Sequence, residues 1–109
     1  MSKPAIKTES YREGLLESLK DRREAARYLN ACLDDEDPRV FLLALRDVAD
    51  AHGGLRVLSQ KTRLNRESLY RMLSRSGNPS LESLGAVLNA LGLDLAIRPG
   101  QPARRRLIA

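Results

Sequence analysis

The 109-residue sequence predicts an all-α fold, a bundle of about five to six helices followed by a short C-terminal β-strand. Three observations predict this fold class. Apolar residues recur every three or four positions through most of residues 11–91, which is the spacing of one helix face. Turn sequences that contain glycine or proline separate several of these stretches. Residue types that cap helix N-termini precede them at Asp21, Asp37, Asn65 and Ser80.

The N-terminal third of the chain predicts two helices. Apolar residues within 11–19 follow helical spacing, and Asp21 with Glu24 three residues later resembles a capping box. A second helix therefore starts near Arg22, and the acidic run 34–37 ends it. Its inward face is predicted to carry Ala25, Leu29, Cys32 and Leu33.

A third helix is predicted to begin at Asp37 and Pro38. Aspartate can cap the exposed amides, and proline tolerates the first helical position because its missing N–H would be unpaired there. A broad apolar stripe then runs through residues 40–52, and Gly53 with Gly54 supplies the stop.

Two short helices joined by about three residues are the central feature of the sequence. The first spans residues 55–61, and the second spans 66–74 after the cap at Asn65. This is the layout of a helix-turn-helix. Helices this short are unstable alone, so they need the apolar helices over 38–52 and 81–91 as a platform.

The C-terminal part predicts one more helix and a strand. Ser80 caps the helix, Gly92 ends it, and its apolar face carries Leu81, Leu84, Val87, Leu88 and Leu91. Residues 93–98 then alternate with period two, as a half-buried strand does, with Leu93, Leu95 and Ile97 on one face. Because such a strand is an exposed edge unless it pairs, we expect it to pair with its equivalent in a homodimer.

The chain divides into three predicted parts. Residues 1–36 form a helical segment that completes the core or contacts a protein partner. Residues 37–98 form the helix-turn-helix domain. Residues 99–109 form a disordered basic tail that contains Arg104, Arg105 and Arg106.

Composition excludes several classes of protein. One cysteine and one histidine exclude a disulfide framework and a structural zinc site of the Cys/His type. No phosphate-binding glycine motif is present and the histidine has no nucleophile partner, so the sequence predicts no enzyme, no cofactor and no metal. No apolar run approaches the roughly 20 residues that span a bilayer, and the N-terminus lacks the apolar core of a secretory signal. We therefore expect a cytoplasmic protein without membrane contact.

The positive charge is concentrated in one 22-residue segment and in the C-terminal tail. Residues 54–75 carry six basic side chains against one acidic side chain, Glu67. Such a patch is typical of a polyanion binder, and a solvated charged surface is the alternative. An RNA partner is disfavoured, because one phenylalanine and three tyrosines offer no stacking platform for single strands.

In a helix-turn-helix, the second helix lies in the major groove of double-stranded DNA with its N-terminal residues at the base edges. With Leu69 and Leu73 facing inward, the predicted base-reading residues are Arg66, Glu67, Ser68, Tyr70 and Arg71. The predicted phosphate-binding residues are Arg56, Lys61, Arg63, Asn65 and Arg75. Glu67 can instead stabilise the helix dipole, and Tyr70 can instead be half-buried packing.

Three stretches together resemble the family of probable addiction module antidote proteins. They are DPRVFLLALRDVA at 37–49, LNRESLYR at 64–71 and GNPSL at 77–81, and the resemblance covers about residues 19–98. That family is similar to phage-repressor-like antitoxins of the HigA type, which implies a lambda-repressor-like helix-turn-helix bundle with the same base-reading positions. Arg63 departs from the family, which favours glycine at this often left-handed turn; a non-glycine residue there costs roughly 1–2 kcal/mol.

The resemblance implies a bacterial type II antitoxin. Such a protein binds a toxin similar to the RelE/ParE family and represses its own operon by binding operator DNA, usually as a dimer. RNA-cleaving toxins are commonly basic, so the expected toxin contacts are the acidic residues Glu17, Asp21, Glu24 and 34–37. Two alternatives stay open: a stand-alone phage-type transcriptional repressor without a toxin partner, and a protein-interaction module with vestigial DNA binding.

Overall fold

The computed structural model describes residues 9–100, which form six helices. These are α1 (Glu9–Leu19), α2 (Arg22–Leu33), α3 (Pro38–Ala51), α4 (Gly54–Thr62), α5 (Arg66–Met72) and α6 (Leu81–Ala90). Helices α1 and α2 pack against each other and against α3, while α4 packs against α3, α5 and α6. The all-α prediction is confirmed. Within the described residues, no helix combines the length and the apolar character needed to cross a membrane.

The predicted caps hold four of the helix starts. Each cap side chain accepts a backbone N–H from the second or third residue of its helix, at Asp21, Asp37, Asn65 and Ser80. The capping box at α2 is only half formed. The carboxylate of Glu24 pairs with Arg27 at 2.8 Å, and the backbone N–H of Asp21 donates to the carbonyl of Ser18. Local sequence signals therefore position the helix N-termini.

One hydrophobic core contains side chains from all six helices of the described residues. Its most deeply buried large side chains are Leu19, Leu45, Val48, Leu69, Leu73 and Val87. Leu33 and Leu81 were expected to face inward and do not, since their exposed fractions are 55% and 74%. They are the last residue of α2 and the first residue of α6, where a helix end extends past its packing partner. Met72 is buried instead, at the end of a shorter α5 than predicted.

The prediction of a C-terminal strand is wrong, since residues 93–98 form no strand in the structure of the single chain. Residues 88–93 form a Schellman motif, in which Gly92 N–H donates to Asn89 O and Leu93 N–H donates to Leu88 O. Gly92 has the left-handed backbone this motif requires, with a φ of 80°. After it, Leu95 is 50% exposed and Ile97 is fully exposed, and the described residues 9–100 contain no strand to pair with them. Most of the predicted tail lies outside the described residues.

Polar contacts add to the core in holding α1 and α2 on α3. Arg12 of α1 binds Asp47 and Asp50 of α3 at 3.1 and 2.7 Å. Tyr28 of α2 donates its hydroxyl hydrogen to the other oxygen of Asp47 at 2.7 Å. His52 Nε2 lies 3.0 Å from the carbonyl oxygen of Leu19, and it is the donor because a carbonyl only accepts. Asp47 is therefore shared by three helices.

Replacement of Tyr28 by phenylalanine is expected to lower the free energy of unfolding at neutral pH by about 1 kcal/mol. The reason is that the Asp47 carboxylate loses a half-buried donor. Burial first, and then the hydrogen bond to Asp47, raise the pKa of Tyr28 above its ordinary value of 10.0. A raised pKa in the folded state means that the unfolded chain ionises first. The stabilisation is therefore complete below about pH 10 and is lost as the pH rises further.

Urea unfolding at pH 7 measures the loss of stability caused by Tyr28→Phe. Unfolding between about pH 9 and 11 measures how this stabilisation falls as the pH rises. The Tyr28→Phe variant should lose less stability on alkalinisation than the wild type does. The matched control is Tyr70→Phe, since the Tyr70 ring is half exposed. A Tyr28→Phe variant that follows the wild-type alkaline profile would contradict the assignment.

Candidate functional site

Residues 54–72, termed the α4–α5 unit, contain the two predicted short helices and the three-residue connection between them. Helix α4 has 9 residues, α5 has 7, and residues 63–65 join them. Leu55 and Leu58 of α4 and Leu69 of α5 are buried in the core. The unit is thus held by packing, which compensates for the low intrinsic stability of such short helices.

Side-chain hydrogen bonds organise the connection. Ser59 Oγ donates to the carbonyl of Leu64 at 2.6 Å. Thr62 Oγ1 donates to the carbonyl of Leu58 at 2.8 Å and accepts the backbone N–H of Leu64 at 3.1 Å. These bonds tie both the backbone N–H and the carbonyl of Leu64, in the connection, to side chains of α4. They also fix the direction in which α5 leaves the turn.

Arg63, the C-cap of α4, has a left-handed backbone with φ 66° and ψ 14°. Within residues 9–100 it is the one non-glycine residue with positive φ. The left-handed turn expected at this departure from the family pattern is therefore present. Its backbone N–H donates to Ser59 O at 2.8 Å, so the strained conformation completes the end of the helix.

Replacement of Arg63 by glycine is expected to raise the free energy of unfolding by about 1 kcal/mol, because glycine adopts this conformation without the steric cost. Arg63→Ala is the control, since it removes the charge and retains the strained Cβ. In thermal or urea unfolding, the Arg63→Gly variant should be more stable than both the wild type and the Arg63→Ala variant. Equal stabilities of the glycine and alanine variants would show that the turn relaxes.

The outward face of α5 presents the residue types predicted to read bases. Arg66, Glu67, Tyr70 and Arg71 are exposed, while Ser68 is half-buried. Positions 67, 70 and 71 share one face because they are separated by three and four residues. Asn65 Oδ1 accepts the Ser68 N–H at 2.8 Å, which stabilises the first turn of α5.

Six exposed basic side chains lie within residues 56–75, and two of them, Arg66 and Arg71, are on α5. None of them forms a salt bridge with a carboxylate in the described part of the chain. By contrast, five of the seven basic side chains from α1 to α3 are ion-paired, at Arg12, Lys20, Arg27, Arg39 and Arg46. In this part of the chain the exposed basic side chains without a salt bridge are Arg56, Lys61, Arg63, Arg66, Arg71 and Arg75; Arg22, Arg23 and Arg98 share this property elsewhere in the described residues.

Arg75 also influences the start of α3. Hydrogen bonds from Arg39 lower the pKa of Asp37, and the charge of Arg75 lowers it further. The same pairing raises the pKa of Arg39. Arg75 therefore lies within electrostatic range of an acidic cap and still has its guanidinium exposed.

One residue near this face was not predicted. The guanidinium carbon of Arg46, on α3, lies 4.9 Å from the centre of the Tyr70 ring. Tyr70 is thus packed on one side and 50% exposed, so it fits the half-buried alternative while base reading by Tyr70 stays a prediction. The sequence spacing of four residues predicts the ion pair of Arg46 with Asp50. It does not predict the contact with Tyr70, which depends on the relative positions of α3 and α5.

The described residues offer few other groups that could bind a metal or act as a nucleophile. The residues that the structure describes contain no group of three or more His, Cys, Asp or Glu side chains that could hold a metal ion. Cys32 is half-buried, and burial, followed by the charges of Asp47 and Asp35, raises the pKa of its thiol. This agrees with a packing role for Cys32.

Comparison with known proteins decides the family. The sequence profile of the family described as "Probable addiction module antidote protein" matches residues 10–99. The chain belongs to this family. A Haemophilus influenzae relative, described as an uncharacterized protein, is 32% identical over 82 residues, covering 75% of this chain and 84% of the relative. No solved structure gives a match.

Family membership confirms the resemblance seen in the sequence. An addiction module antidote is an antitoxin, and this role is regulatory and implies a toxin as partner. The match covers every described helix apart from the first residue of α1, so the α4–α5 unit belongs to the antidote family's common region.

Proposed function

We propose that the chain is a type II antitoxin that represses its own operon and neutralises a RelE/ParE-like toxin by direct binding. In this proposal the α4–α5 unit is a helix-turn-helix that binds operator DNA. The observation that carries the DNA-binding part is the set of six exposed basic side chains without a salt bridge within residues 56–75, the stretch that contains α5. Guanidinium and ammonium groups without a salt bridge in one short stretch of the chain are available to replace the counterions of DNA phosphates.

The exposed residues divide into two roles. Arg66, Glu67, Ser68, Tyr70 and Arg71 on α5 are the base-reading set, since arginine can bind guanine with two hydrogen bonds and glutamate can accept from cytosine. Arg56, Lys61, Arg63, Asn65 and Arg75 are the phosphate-binding set. Because Asn65 uses its oxygen as the helix cap, its amide nitrogen is the group that donates to a phosphate.

The test is binding of the full chain to a fluorescent duplex of its own upstream DNA and to a scrambled duplex. At about 50 and 200 mM salt, we expect preference for the upstream duplex and a fall in affinity of about 10³-fold between the two salts. Lys61→Ala should weaken both complexes. Lys20→Ala is the matched control, because Lys20 is an exposed lysine already paired with Glu17 on α1. Equal, weak binding to both duplexes would instead support the protein-interaction module.

A homodimer would place two copies of α5 about 34 Å apart, the distance between successive major grooves. The exposed side chains of Leu95 and Ile97 support self-association, as does the neighbouring apolar groove lined by Leu33, Phe41 and Leu88. Leu93 already packs against the core of its own chain. Sedimentation at tens of micromolar tests this: a monomer throughout would contradict pairing through residues 93–98.

Reversal of two acidic charges is expected to weaken toxin binding by about tenfold, because like charges would face a basic toxin. The double variant is Glu17→Lys with Glu36→Lys, both exposed. Glu82→Lys on α6 is the control for a charge change elsewhere. Titration calorimetry with a purified RelE/ParE-like toxin measures the effect, and unchanged affinity would contradict the acidic contact. Deletion of residues 1–35 is unsuitable, since Leu19, Ala25 and Leu29 belong to the core.

A further inference from the structure

Arg46 and Tyr70 form a direct contact between the central helix α3 and the proposed reading helix α5. The guanidinium carbon lies 4.9 Å from the centre of the tyrosine ring. At this distance the negative face of the ring attracts the cation. The contact joins the outward face of α5 to a helix that is itself held by the core through Leu45 and Val48.

Arg46 is held in place from its other side. Its Nε lies 3.5 Å from Asp50 Oδ1, one helical turn further along α3. The other oxygen of Asp50 accepts from Arg12 Nη2 at 2.7 Å, so the carboxylate is fixed between two guanidinium groups. The Arg46 side chain is 31% exposed and the residue is half-buried, whereas the arginines of the α4–α5 unit are exposed.

The Nε of Arg46 is buried and has no hydrogen-bond partner among the residues described. A buried donor without an acceptor is unfavourable, so packing alone does not account for an arginine at this position. An apolar side chain of similar length would fill the space without that cost. The charge of Arg46 gains from two contacts, the ion pair with Asp50 and the position over the Tyr70 ring, and the contact with the ring is the one that links α3 to α5.

We infer that Arg46 is a positioning residue for DNA reading, acting through Tyr70. This inference rests on the proposed DNA-binding function. The guanidinium occupies one face of the ring and restricts its rotamers, while half of the Tyr70 surface stays exposed for the DNA. A side chain ordered before binding loses less conformational entropy on binding. Arg46 itself does not contact a base.

A double-mutant cycle on the full chain tests the inference. It uses the wild type, Arg46→Met, Tyr70→Leu and the variant with both changes, each titrated with the upstream and the scrambled duplex. Arg46→Met should lower the ratio of the two affinities by about three- to tenfold. Arg46→Lys should restore most of this loss, because it returns a cation to the ring. In the Tyr70→Leu background, Arg46→Met should change the ratio no further.

Two outcomes would overturn the inference while leaving DNA binding intact. Equal weakening of both duplexes by Arg46→Met would make Arg46 a plain phosphate contact, and an additive effect in the double variant would make it independent of Tyr70. A wild type without preference for the upstream duplex would overturn the proposed function, and this inference with it.

NMR chemical shifts of the DNA-free protein test the contact between Arg46 and Tyr70 directly. They separate a loss of this contact from a loss of folding. The side-chain protons of Arg46 should be shifted upfield by the Tyr70 ring current, and Tyr70→Leu should return them to ordinary positions. Unshifted protons in the wild type would overturn the contact itself.

Discussion

Replacement of Gly77 by alanine should lower the free energy of unfolding by about 3 kcal/mol, the largest stability change that we expect from a single added methyl group. A Cβ at this position would overlap the carbonyl oxygen of Met72 and lie 2.7 Å from its carbonyl carbon. Backbone atoms cannot rotate away as a side chain can. Met72 and Leu73 are both buried, so any shift that relieves the overlap disturbs the core under α5.

The matched control for Gly77→Ala is Gly85→Ala in the interior of α6. A Cβ on Gly85 meets nothing within 4 Å, so alanine should stabilise this helix by about 0.5–1 kcal/mol. The two substitutions add the same group and should have opposite signs in urea unfolding. Small effects of equal sign at both positions would show that the turn after α5 rearranges easily.

Replacement of Arg66 by alanine should weaken binding to the preferred operator site by about 1–3 kcal/mol and relax the sequence preference at one base pair. Arg66 is the first residue of α5 and is exposed without an ion-pair partner in the described chain. Its guanidinium is therefore available for a guanine edge. Folding stability should change by less than about 0.5 kcal/mol, since no packed contact is lost.

The Arg75→Ala variant distinguishes a phosphate contact from the base contact proposed for Arg66. Arg75 lies after α5, close enough to Asp37 to affect the pKa of that carboxyl, and is proposed to contact phosphate. Its removal should weaken the upstream and scrambled duplexes alike and reduce the dependence of affinity on salt. The measurement is the affinity of Arg66→Ala and of Arg75→Ala for the upstream and the scrambled duplex. The same loss of preference in the Arg75 variant would place that residue at a base edge.

Helix starts were predictable because their causes are local. Asp21, Asp37, Asn65 and Ser80 cap amides two or three residues away, and such short-range bonds depend little on the rest of the fold. The exposed face of α5 was predictable for a similar reason, since burial of Leu69 and Leu73 directs Arg66, Glu67, Tyr70 and Arg71 outward. The motifs at 37–49, 64–71 and 77–81 were also sufficient to indicate the antidote family, which the profile match confirmed.

Features that depend on a distant or missing neighbour were not predictable. Alternation of Leu93, Leu95 and Ile97 suggested a strand, but a strand exists only beside another strand, and the turn at Gly92 instead uses Leu93 to end α6. The exposure of Leu33 and Leu81 depends on where the neighbouring helices end. Residues alone thus determined the helices, their caps, the charge of the α4–α5 unit and the family. Only the tertiary structure decided the partners of Asp47 and the contact of Arg46 with Tyr70, because these require helices distant in sequence to meet in space.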